Sequence, residues 1–158
     1  MNEDSQTSEL ADLVTPRSVV AQLRAPTKRQ VLQELARRAA LMTGIPDKRI
    51  YDALTERERL GTTGIGSGVA VPHCRLSEVN RLYGFFARLE RPVPFEAIDD
   101  QPVDLVFLLL APADAGAEHL KALARVSRLL RDKAMCEKLR GANSADALYA
   151  LLTGGPAG

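Results

Sequence analysis

Only two histidines occur in this chain, His73 and His119, so any chemistry near neutral pH that needs an imidazole must use one of them. A neutral imidazole, with an ordinary pKa of about 6.5, is a competent nucleophile. His73 follows Gly61-Thr62-Thr63-Gly64-Ile65-Gly66-Ser67-Gly68, which holds four glycines in eight residues. Glycine lets successive backbone N–H groups turn toward one point, and such a nest suits an anion. Gly64, Gly66, Ser67 and Gly68 are therefore candidate phosphate-binding residues. Arg57 stands just before this run as a fixed cation, with Arg59 two residues on, and spacing alone does not choose between them. Imidazole, nest and guanidinium together describe a phosphoryl group being received and held.

Plainer readings stand beside this one. A histidine after a proline can be a polar turn residue, and one on a first helical turn can be a surface residue. The run Glu56-Arg57-Glu58-Arg59 also suits a solvated helix end, where the helix dipole favours arginine. Nucleotide binding loses, because the glycine run precedes a strand instead of following one and lacks the Gly-Lys-Ser or Gly-Lys-Thr of a phosphate loop. Cys74 and Cys136 lack the spacing of a zinc site. Cys74 beside His73 makes a poor catalytic pair, since neighbours on an extended chain point apart.

Both imidazoles need elements to carry them. Thr27 to Gln30 has capping-box spacing and opens a helix from about Lys28 to Met42. Asp47 is expected to cap a second helix that buries Ile50, Ala53, Leu54 and Leu60 and ends at Gly61. The glycine run is expected to be irregular, with a short strand at 69–71 ended by Pro72. Residues 82–89 read as a strand broken by Pro92 and Pro94. The apolar run 103–110 reads as a central strand covered on both faces. A helix from about Ala117 to Leu130 is expected to place Leu120, Leu123, Ala124 and Ser127 on one side, with Val126 and Leu130 nearby, and shorter helices are expected near 134–139 and 145–152. Alternating helices and strands argue for an α/β layered domain with helices on both sheet faces. His73 and His119 then both lie just beyond strand carboxyl ends, where open α/β sheets place their sites, and they converge if the strands are parallel neighbours.

The 158 residues suit one domain, expected from residue 10 to 153 between tails at 1–9 and 154–158. Lysine and arginine number 21 against 20 acidic residues, so no overall field attracts nucleic acid. The acidic, polar beginning is unlike a signal peptide, no apolar run would span a membrane, and two thiols too few for a staple favour the cytoplasm. Charge is segregated: seven acidic residues and one basic lie between Glu90 and Glu118, whereas seven basic and three acidic follow His119. That polarity is a candidate docking surface for another protein, unless folding disperses it.

The string Gly61 to His73, with Thr55-Glu56-Arg57-Glu58-Arg59-Leu60, Phe95 to Leu105 and His119-Leu120, resembles the mannitol and fructose type enzyme IIA domains of the bacterial phosphotransferase system. The likeness is greatest to the nitrogen-regulatory kind. It implies a single three-layer α/β/α domain with a mixed sheet and a phosphotransferase role without cofactor or metal. His73 would be the acceptor, charged on Nε2 by an HPr-type phosphocarrier. His119 would support the phosphoryl group, and the resemblance selects Arg57 as the arginine. Regulatory targets would be proteins such as a sensor kinase or potassium transport components, with neither nucleic acid nor membrane insertion involved. A sugar-pathway protein passing phosphate to a IIB domain, and a non-catalytic anion-binding module, are the alternatives. Cys74 departs from the glycine common in relatives, and the connection 113–118 is short.

Overall fold

A computed structural model describes residues 10–154. After a 3-10 turn at Pro16–Ser18 come β1 (Val19–Leu23), α1 (Lys28–Thr43), α2 (Asp47–Arg59), β2 (Gly64–Gly66), β3 (Val69–Ala70), β4 (His73–Leu76), β5 (Tyr83–Val93) and β6 (Val103–Pro112). Three helices close the chain: α3 (Gly116–Arg131), α4 (Lys133–Gly141) and α5 (Ala145–Thr153). The sheet order is β1-β5-β6-β3-β2, with β4 also on β6. β1 runs parallel to β5, β5 antiparallel to β6, and β3 and β4 parallel to β6, so the sheet is mixed.

The run 103–110 is central for the reason its composition suggested. Val106, Leu108 and Leu110 enter one core, with Val31, Leu35 and Leu54 of α1 and α2. Leu105, Phe107 and Leu109 enter the other, with Ala122 and Val126 of α3 and Leu148 of α5. Strand alternation thus feeds two cores from one strand, and each fully buried Leu or Phe contributes roughly 1.5–3 kcal/mol. Three layers result.

Several expectations need correction. β1 is a strand that the short segment between Pro16 and Pro26 did not reveal. The glycine run is not wholly irregular: Gly64–Gly66 pairs antiparallel with β3 as a hairpin. Its turn needs positive φ at both Ser67 (58°) and Gly68 (82°), the requirement of a primed turn that glycine relieves. Asp47 is the first residue of α2, which Pro46 precedes without a side-chain cap, and Leu60 is 81% exposed. β5 continues through Pro92 to Val93, with its register shifting between Arg88 and Val93. On α3 the buried face is His119, Ala122, Val126 and Leu130, and Leu120 is 65% exposed. The buried stripe begins one residue earlier than the expected one, because His119, a polar residue, takes a core position, and Val126 and Leu130 complete it.

The expected tails lie largely outside the described residues. Gly154 belongs to the fold, capping α5 in the left-handed conformation and donating to Ala150 O. Folding pairs part of the acidic stretch with bases from elsewhere: Glu90 with Arg24, Glu96 with Lys28, and Asp104 with Arg140. No described helix is long and apolar enough to cross a membrane.

Candidate functional site

His73 does not hang in a loop after β3. It opens β4, in register with Leu109 of β6, while β3 pairs with the same strand further back at Leu105 and Val106. Pro72 interrupts the run, and its carbonyl accepts from Leu109 N at 3.0 Å, so β3 and β4 follow one another along a single edge of β6. Cys74 and Leu76 enter the core beneath α1 and α2. Alternation leaves His73 and Arg75 on the other face of β4, toward α3. Because β4 and β6 are parallel, the end of β6 delivers α3 beside β4, and the His73 and His119 ring centroids lie 5.4 Å apart at 73°. The short 113–118 connection suffices, with His119 N bonded to Ala115 O at 2.8 Å in the first turn of α3.

The hydrogen bonds settle which nitrogen of His73 is available. Nδ1 lies 2.8 Å from the carbonyl of Val71, and a carbonyl can only accept, so Nδ1 carries the proton. Nε2 is then the lone-pair nitrogen, and it accepts from Arg57 Nε at 3.2 Å. Arg57 is held in turn by Nη1 donating to Gly61 O at 2.9 Å. Arg59 points elsewhere and pairs with Glu56 on the surface. Burial lowers the His73 pKa below its ordinary value; the Arg57 charge adds to this, and the Val71 carbonyl opposes it. The ring is thereby kept neutral and nucleophilic.

His119 is only 4% exposed. Its Nδ1 accepts from Arg75 Nε at 3.2 Å, which leaves the proton on Nε2. That Nε2 is buried and has no hydrogen-bond partner among the described residues. Burial, with the neighbouring His73 and Arg75, pushes its pKa down to about 4, so it is an uncharged donor at neutral pH. An orphaned buried N–H is costly, and one beside a nucleophilic imidazole is suited to an oxygen that arrives with a ligand.

Arg49, Arg57, Leu60, His73, Arg75 and His119 line an open cleft of about 640 Å³. A larger cleft of about 860 Å³, with Asp12, Arg81, Asp114 and Glu118 on its wall, contains neither imidazole and lacks the arginines of the first. Arg75 went unnoticed in the sequence, although its i+2 spacing from His73 on a strand would have placed both on one face. Arg49 was missed too; its Nε donates to Glu78 at 2.9 Å and ties α2 to the segment after β4.

The glycine-run residues are not brought to the imidazoles. Ser67 N donates to Asp99 Oδ2 at 2.9 Å, and Ser67 O and Asp104 accept from Arg140 of α4. A side chain at Gly68 would meet Arg140 Nη2 at 2.5 Å. Gly64, Gly66, Ser67 and Gly68 thus shape a hairpin packed on α4 and residues 97–104, and none lines the histidine cleft. The link from this hairpin to the site is indirect. Glu58, next to Arg57, accepts from the amide and hydroxyl of Thr63 and pairs with Lys28 at 3.0 Å, pinning the end of α2. Cys74 is buried and its thiol is pushed up to about 12, so it is no thiolate nucleophile beside His73.

The fold has counterparts among known proteins. Residues 12–154 match the family described as phosphoenolpyruvate-dependent sugar phosphotransferase system, EIIA 2. A nitrogen regulatory protein of Bradyrhizobium diazoefficiens is 51% identical over 148 residues, covering 94% of this chain and 97% of that protein. A fructose-specific EIIA component of Haloferax volcanii is 34% identical over 141 residues, covering 88% of this chain and 92% of the other. The crystal structure of nitrogen regulatory protein IIA-Ntr from Neisseria meningitidis superposes with a TM-score of 0.88 at 32% identity, covering 92% of this chain and all of that one. The chain belongs to the EIIA 2 family of the phosphotransferase system, and its likeness runs to the nitrogen-regulatory members of that family.

Proposed function

We propose that this protein accepts a phosphoryl group on His73 Nε2 from an HPr-type phosphocarrier and signals its phosphorylation state to partner proteins in nitrogen and potassium regulation. The observation that carries the reading is the fixed tautomer of His73: Nδ1–H on the Val71 carbonyl leaves the Nε2 lone pair facing Arg57 beside His119. In the transfer, the carrier's P–N bond breaks with its electron pair returning to the carrier imidazole. The Nε2 lone pair, released as the Arg57 N–H turns from it to a phosphoryl oxygen, forms the new P–N bond, and the phosphoryl group passes between the two rings. The carrier's phosphohistidine ring, protonated on its second nitrogen, leaves as a neutral imidazole, so no proton changes partner: Nδ1–H of His73 stays on the Val71 carbonyl and there stabilises the positive charge the His73 ring acquires. Arg57 and the His119 N–H serve the phosphoryl oxygens, an electrostatic role aimed at charge that develops during transfer.

The regulatory rather than metabolic role rests on the names of the relatives, nitrogen regulatory proteins covering nearly all of this chain. Likeness to a fructose-specific EIIA component keeps the sugar pathway as the second reading. The test is incubation with phosphoenolpyruvate and the upstream phosphotransferase proteins, then addition of a IIB domain. The expected product is an acid-labile, alkali-stable adduct that stays on the protein. Absence of label, or undiminished label on His73→Ala, refutes the acceptor assignment; rapid onward passage to IIB moves the function to the sugar pathway.

A further inference from the structure

We infer that Arg75 is a positioning residue for phosphoryl transfer, acting through His119 by holding its proton on Nε2. The inference rests on the reading of His73 as acceptor and extends it to a residue not so far assigned a role. Arg75 and His73 are two apart on β4 and lie on one face, toward α3. Arg75 Nε donates to His119 Nδ1 at 3.2 Å. A guanidinium has donors only and stays charged throughout the accessible pH range, so the atom it faces cannot carry a proton. The neutral imidazole must then place its N–H at Nε2, which is buried, lacks a partner among the described residues, and belongs to the ring 5.4 Å from that of His73.

The arrangement mirrors the one at His73. There a carbonyl fixes the proton on Nδ1 and frees Nε2 as a lone pair; here an arginine occupies Nδ1 and makes Nε2 a donor. Two identical side chains, side by side, are given opposite roles by what touches their Nδ1 atoms. Arg75 is largely exposed, whereas the ring it orients is buried, so its contribution to the fold is small and its contribution to the ring's tautomer is direct. Besides burial, the groups that disfavour a second proton on His119 are His73 and Arg75, both from β4.

The test compares wild type, Arg75→Ala and Arg75→Lys by two readouts. Long-range 1H–15N spectra of the imidazoles should show His119 of the wild type with an unprotonated, hydrogen-bonded Nδ1. Arg75→Ala should add the Nδ1–H tautomer and raise the pH at which His119 titrates. The rate of phosphoryl transfer from the carrier should fall about ten- to a hundredfold, the scale of a misplaced catalytic group. Arg75→Lys, which keeps a charged donor, should restore part of both. An unchanged His119 spectrum and titration in Arg75→Ala overturns the inference, including when the rate falls, because Arg75 would then act on the phosphoryl group itself. An altered spectrum with an unchanged rate overturns it as well. Should the wild type take no label at all, the acceptor assignment fails; the tautomer spectra still decide what Arg75 does to His119.

Discussion

Replacing His119 with alanine removes a single neutral N–H donor from a buried position in the wall of the cleft. The ring is 4% exposed, its Nε2 has no partner among the described residues, and its centroid is 5.4 Å from that of the attacking imidazole. A preorganised donor in such a place, engaged only when charge develops on the transferring group, is worth about 10²–10³ in rate, or roughly 2.7–4 kcal/mol of barrier. The nucleophile is untouched: Nδ1–H of His73 stays on Val71 O and Nε2 stays opposite Arg57. His119→Ala should therefore reach the same final labelling as wild type, about a hundredfold or more slower. Rapid-quench time courses with phosphorylated carrier, scored by acid-labile label, separate rate from endpoint. His119→Gln, which keeps an N–H donor, should recover part of the loss. A wild-type rate in His119→Ala would refute the reasoning, and so would a lost endpoint, since that would make His119 the acceptor.

Arg57→Ala should slow transfer about ten- to a hundredfold and raise the His73 titration, because the guanidinium disfavours the imidazolium; Arg59→Ala, on a surface ion pair with Glu56, should change neither. Stability should fall as pH drops from about 6.5 toward 4: unfolded His119 takes a proton there while the folded ring, at about 4, does not, and the loss levels off below that. Urea titrations should find that window flatter in His119→Ala, and an equally steep window would contradict the assignment. Gly64→Ala would place its Cβ 2.8 Å from Ala97 Cβ and 2.9 Å from Ala97 Cα, so it should destabilise by about 1–3 kcal/mol in urea melts while leaving the His73 imidazole spectrum in place.

Much of this molecule was legible because its signals are local. Thr27 announces α1 by capping, and its hydroxyl accepts from Gln30 N at 3.2 Å. The apolar run 103–110 announces a strand buried on both faces. The scarcity of histidine narrowed the chemistry to two side chains that the fold does bring together. What escaped depends on the third dimension. β1 is five residues long and gains its identity from pairing with β5, far along the chain. The hairpin of Gly64 and Val69 depends on residues 97–104 and Arg140 to hold it, so a run of glycines looked like a free nest when its Ser67 amide is committed to Asp99. The buried stripe of α3 was misread because His119, a polar residue, takes a core position. The preference for Arg57 over Arg59 came from likeness to a family; in the fold it follows from the turn of α2 that aims one guanidinium at His73 and the other at solvent.

The central claim is that Nε2 of His73 receives the phosphoryl group while Nδ1 keeps its proton. Phosphorylating the 15N-histidine-labelled protein with phosphoenolpyruvate and the upstream proteins, then recording 31P–15N couplings, locates the group atom by atom. The account predicts coupling to His73 Nε2 alone, with Nδ1–H retained on the Val71 carbonyl and no coupling in His73→Ala. Coupling to His73 Nδ1, coupling to His119, or a protein that takes no phosphoryl group would contradict it.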